Sequence, residues 1–102
     1  MIVAATGSVH VVHNVAASRF EAEVGGHLCV AAYDLDDGVL RMTHTAVPRA
    51  LEGRGIAAAL VSAALAHARS EGFKVAPVCS YVRSYVRRHA ETRDLLADGY
   101  GV

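Results

Sequence analysis

A chain of 102 residues that is 53% hydrophobic, with ten basic and ten acidic side chains, has the composition of one packed domain spanning residues 1–102. That balance argues against disorder, and no apolar run nears the roughly 20 residues needed to cross a bilayer. Residues 1–7 lack the basic region and apolar core of a signal peptide, and two cysteines in such a chain read as free thiols, so the expected location is cytoplasmic.

In chain order, residues 1–7 read as a loose leader and Val9–Asn14 as a short extended piece. Arg19–Val24 alternates polar and apolar residues with a period of two, the pattern of a half-buried strand. Gly25-Gly26 marks a turn, and His27–Leu35 is a second strand, with Cys29 in its middle as a core residue. Asp36-Asp37-Gly38 is a hairpin signal leading into a third strand, Val39–Val47. From Gly55 to Glu71 the period changes to 3.6, with Ile56, Leu60, Val61, Ala64, Leu65 and Ala68 on one stripe. Gly72 suits the left-handed residue that ends such a helix. Lys74–Val78 is a short strand, and strand–helix–strand predicts that it lies parallel to Val39–Val47. Ser80 is placed to cap a second helix over Tyr81–His89, and Thr92 to cap a third through Leu96. The expected fold is α+β: an antiparallel meander of about three strands, a parallel crossover, and C-terminal helices.

The turn Glu52-Gly53-Arg54-Gly55 between strand and helix carries the main functional signal. A helix start presents unpaired N–H groups and the positive end of the helix dipole, which suits a phosphate. Gly55 lets a pyrophosphate approach the backbone closely, and Arg54 adds a charge-assisted contact. A plain turn is the alternative. Charge is also unevenly placed. Residues 1–40 carry one basic and five acidic side chains, and residues 41–93 carry nine basic and three acidic ones. A basic half that receives an anion would produce this, as would an ordinary solvated surface.

Cys79 sits where a strand gives way to a helix, near Arg83 and Arg87, a setting that lowers a thiol pKa and makes a nucleophile or an acid. A small buried apolar residue is the competing reading. His44, in the third strand, is a candidate general base, acting directly or through water, with a packed or solvated strand histidine as the competing reading. The remaining histidines show no metal-ligand spacing, so no metal is expected. Arg83, Arg87, Arg88 and Arg93 form a basic patch whose readings are a solvated face, a site for an anionic ligand or, with little aromatic support, a nucleic acid contact.

Glu52-Gly53-Arg54-Gly55-Ile56-Ala57 resembles the Q/R-x-x-G-x-G/A acyl-CoA-binding signature of the GNAT superfamily of N-acetyltransferases, with Glu52 where Gln or Arg is usual. Thr45-Ala46-Val47-Pro48 and Pro77-Val78-Cys79-Ser80-Tyr81-Val82 extend the resemblance to the small single-domain members, over roughly residues 9–97. The resemblance implies acyl-CoA binding by Ala46, Val47, Gly53, Arg54, Gly55, Ile56, Ala57 and Ala58, with Arg88 on the adenosine phosphates. It also implies that Ala46 and Val47 hydrogen-bond the pantetheine and that a strand amide polarises the thioester carbonyl, as an oxyanion hole does. A helix tyrosine, Tyr85 or Tyr81, would protonate the departing thiolate, which with Cys79 and His44 completes the candidate catalytic set. The expected activity is acetyl transfer from acetyl-CoA to the amine of a small molecule, peptide or protein, by a monomer or homodimer. A non-catalytic acyl-CoA-binding module and an interaction protein using the arginine patch are the other readings.

Overall fold

The computed structural model describes residues 2–6 and 9–102 of the chain. Six strands form one mixed sheet in chain order: β1 (Ile2–Thr6), β2 (Val9–Asn14), β3 (Arg19–Val24), β4 (His27–Asp36), β5 (Val39–Ala46) and β6 (Lys74–Pro77). The first five are antiparallel, and β5 and β6 are parallel. Two α-helices, α1 (Ile56–Glu71) and α2 (Ser80–Arg88), complete the main frame, with 3-10 turns at Arg49–Leu51 and Ala90–Leu95.

The α+β class and the parallel crossover stand as expected, and the antiparallel part is longer. Residues 2–6 are a strand rather than a leader: Ala4, Ala5 and Thr6 pair with Val11, His10 and Val9. Asp36 pairs with Val39 across a two-residue loop, Asp37-Gly38, in which both residues have positive φ (51° and 75°). That is the twist a tight hairpin needs, and Gly38 adopts it without steric cost.

Alternation along the strands buries one face of the sheet. Val9 and Val11, Phe20 and Ala22, Cys29 and Ala31, and Leu40 and Met42 lie under the helices. The α1 stripe of Ile56, Leu60, Val61, Ala64, Leu65 and Ala68 covers them, joined by Ala59 and Ala63. Each large aliphatic side chain so buried contributes roughly 1.5–3 kcal/mol. Gly72, at φ 75°, closes α1 with its N–H on the Ala68 and Arg69 carbonyls.

Two local features differ from the sequence expectation. Cys79, not Ser80, takes the N-cap position of α2, and Ser80 is its first residue. After α2 the chain forms a 3-10 turn whose cap position is His89, and Thr92 Oγ1 donates to the His89 carbonyl at 2.6 Å.

The feature that shapes the site is an irregularity in β5. Ala32 pairs with His44, and the next β4 residue, Tyr33, pairs with Met42, so Thr43 is an extra residue. Such a bulge bends the strand that carries it. At the same level the parallel pairing with β6 stops, at Met42 opposite Pro77. Pro77 has no N–H to continue the ladder. From there β5 runs on to Ala46, and the other chain turns away through Val78 into α2.

Candidate functional site

Where the two strands part, a cavity of about 410 Å³ opens between β5, the glycine turn and the starts of both helices. Thr45 and Val47 supply one wall, and Leu51, Glu52 and Gly53 the turn. Gly55, Ile56, Ala57 and Ala58 form the start of α1, and Tyr81 comes from the first turn of α2. Leu51 is buried and anchors the turn from beneath.

Gly55 is the N-cap of α1 at φ 77°, and no side chain caps the helix there. The first inward bond of the helix runs from the Ala59 N–H to the Gly55 carbonyl, at 3.0 Å. The amides of Ile56, Ala57 and Ala58 therefore have no acceptor inside the helix, and all three residues line the cavity. A Cβ built on Gly53 or Gly55 would meet no protein atom within 4 Å. Free amides, the positive end of a helix and a smooth glycine surface make an anion cradle.

Of the residues expected at the cofactor, Val47, Gly53, Gly55, Ile56, Ala57 and Ala58 line this cavity, and Ala46 and Arg54 flank them in the chain. Ala46 pairs with Val30 and so points to the other face of the sheet from Thr45, which pairs with Ala31. Arg54 is exposed between the two glycines. Arg88 lies seven residues beyond Tyr81, about 10 Å further along α2, and its Nε donates to the Ser84 carbonyl at 3.3 Å. The structure places it away from the cavity lining. The arginine patch is largely engaged within the chain. Arg83 Nη1 donates to the carbonyls of Pro77 (3.2 Å) and Val78 (2.6 Å), and Arg93 Nη2 to that of Arg87 (2.6 Å). Glu52 is exposed, lies outside the first turn of α1 and lines the cavity.

The three expected catalytic residues sit differently. Cys79 lies just behind the lining: its Sγ is 3.5 Å from Thr45 Oγ1, and its N–H donates to the Met42 carbonyl at 2.9 Å. Burial pushes its thiol up, but hydrogen bonds from the Thr45 side chain and from the amides of Val82, Tyr81 and Thr45 outweigh this and leave it below its ordinary value. Tyr85 is buried and turned the other way. It stacks on His89 with ring centroids 3.9 Å apart and lines a separate space beside Ser62, Leu65 and Arg69. His44 is exposed and, paired with Ala32, faces the sheet side that the helices leave open. Thr45, Leu51 and Glu52 are the lining residues missing from the sequence-based set, and of the two tyrosines offered as proton donor it is Tyr81 that lines the cavity. For Tyr81 the signal lies in its place one residue into the second helix, closer to the cavity than Tyr85 by one turn.

Cys29 is buried in the core and Cys79 half-buried, and both are free thiols. Among the described residues no group of three or more His, Cys, Asp or Glu is arranged to hold a metal ion, and no helix is long and apolar enough to cross a membrane. A family model described as GCN5-related N-acetyl-transferase matches residues 19–95, which takes in β3 through the last 3-10 turn. No curated protein matches the chain.

Proposed function

The chain belongs to the GCN5-related N-acetyl-transferase family, and from that premise we propose that residues 1–102 form one domain that transfers an acetyl group from acetyl-CoA to a primary amine. The observation that carries this reading is the set of free amides at Ile56, Ala57 and Ala58 opening onto the cavity between the parted strands. The residues fit the donor. The amide cradle and Arg54 would hold the pyrophosphate, and the main chain of Ala46 and Val47 would bond the pantetheine arm along the unpaired end of β5. When bound, acetyl-CoA supplies an activated acetyl thioester open to attack by the amine.

The chain's own groups then have defined tasks. A β5 amide donates to the thioester oxygen, stabilising the charge that builds there in the transition state. Tyr81, whose residue lines the cavity, takes the role of proton donor to the departing sulfur in preference to Tyr85. Cys79, linked to the wall through Thr45, is the second proton donor or a nucleophile. His44 accepts the amine proton through water from the open side of the sheet. The test is thiol release from acetyl-CoA with a panel of polyamines, peptides and amino sugars. Acceptor-dependent release supports the reading, and binding without release for every amine contradicts it.

One observation favours a second reading, a non-catalytic acyl-CoA-binding module: none of Cys79, Tyr85 and His44 belongs to the cavity lining. Under that reading acetyl-CoA binds with the same dependence on Gly55 and no amine releases the thiol.

A further inference from the structure

Among the described residues Thr45 is the one side chain that both lines the cavity and hydrogen-bonds Cys79. It stands on β5 two residues past the Thr43 bulge, beyond the last parallel pair, where no β6 backbone faces it. Its pairing with Ala31, a core residue, turns its side chain toward the helices. Cys79 answers from the other side of the gap, at the N-cap of α2. Their contact is thus a bridge across the split between strands that have stopped pairing, and it joins two elements of the cavity wall.

We propose that Thr45 is a positioning residue for Cys79: its hydroxyl donates to the sulfur, holding the thiolate against the cavity wall at the mouth between β5 and α2. This rests on the acetyl-transfer reading only for its purpose, since the contact itself is a property of the free protein. A thiolate is acceptor-only, so the hydroxyl must be the donor once the proton has left. A charge-assisted bond of this kind is stronger than a neutral one, and the first-turn amides of Tyr81 and Val82 add to it. Thr is suited to the place. Its β-branched side chain has few rotamers on a strand, so the hydroxyl is held toward the sulfur with little entropy to lose.

The test is the pH dependence of iodoacetamide alkylation at Cys79, followed by mass spectrometry on the folded protein without acyl donor. Cys29 is fully buried and serves as an internal unreactive thiol. Thr45→Val and Thr45→Ala remove the hydroxyl, and Thr45→Ser keeps it. The first two are expected to slow alkylation near neutral pH by about three- to tenfold, with the midpoint moved upward, while Thr45→Ser follows the parent. Superposed profiles for the parent, Val and Ala proteins would overturn the proposal. Acetyl-CoA takes no part, so failure of the transferase reading leaves this result unchanged.

Discussion

His13 Nε2 lies 2.6 Å from Tyr33 Oη, and the same imidazole stacks on Phe20 at 4.1 Å and meets the edge of His67 at 4.6 Å. One contact set therefore ties β2, β3 and β4 to α1, the helix whose start forms the anion cradle. Burial and then the nearby His67 hold the His13 pKa below its ordinary value.

The sign of the pH effect follows. Below pH 6.5 an unfolded His13 takes up a proton that the folded one resists, so its contribution is complete above that pH and lost as pH falls through the folded value. Thermal melts should show stability declining below pH 6.5, before the carboxylates titrate. His67→Gln should reduce that loss by removing the second imidazole. The lowered pKa values of Glu21, bonded by Arg19, and Asp94, bonded by Arg69, give a separate loss that begins only as pH approaches their ordinary values of 4.5 and 3.8. A melting temperature flat from pH 7 to 5 would contradict this assignment.

The two tyrosines of α2 should part company. Tyr81→Phe removes a hydroxyl at the cavity and is expected to lower kcat by about a hundredfold, with KM little changed, the usual scale for loss of a general acid. Tyr85→Phe leaves the ring packed on His89 and should keep turnover. Tyr85→Ala should cost about 3 kcal/mol of stability, as removal of a buried aromatic does. Steady-state kinetics and denaturant melts of the three proteins check both claims.

Charge around the cradle gives a further prediction. Glu52 brings a carboxylate to a cavity proposed to hold phosphates, so Glu52→Gln should tighten acetyl-CoA binding by about 0.5–1 kcal/mol, less at high salt. Arg54→Ala should weaken binding by about 1 kcal/mol or more, as loss of a charge-assisted phosphate contact does. Arg88→Ala should change it by less than about 0.5 kcal/mol, its guanidinium being turned back onto α2. Calorimetry at two salt concentrations separates the three.

Periodicity explains what could be read in advance. Arg19–Val24 and the Ile56–Ala68 stripe each repeat with the spacing of a half-buried element, and the Asp37-Gly38 and Gly72 signals mark its ends. β1 carries no such mark, because Ile2–Thr6 is a run of small and apolar residues without alternation; pairing with β2 makes it a strand. The Thr43 bulge has no local sequence signal either, being a mismatch of register between two strands. That mismatch decides the site: it turns Thr45 toward Cys79 and His44 toward the open face. The turn at the cavity needs only a strand, two glycines and a helix start, so its geometry is legible in the sequence. Tyr81 and Tyr85 share one face of α2 and differ by one helical turn along its axis, so which of them meets the cavity depends on where the helix starts relative to β5, and the sequence alone does not fix that.

Calorimetric titration of acetyl-CoA into the parent protein and Gly55→Ala tests the central claim most directly. Gly55 holds φ 77° with open space beside it, so a methyl group there strains the backbone by about 1–2 kcal/mol and intrudes on the ligand rather than on the protein. The account predicts micromolar binding by the parent, roughly −8 kcal/mol, and a loss of about tenfold or more in the folded variant. No heat of binding with the parent, or equal affinity in the two folded proteins, would contradict it.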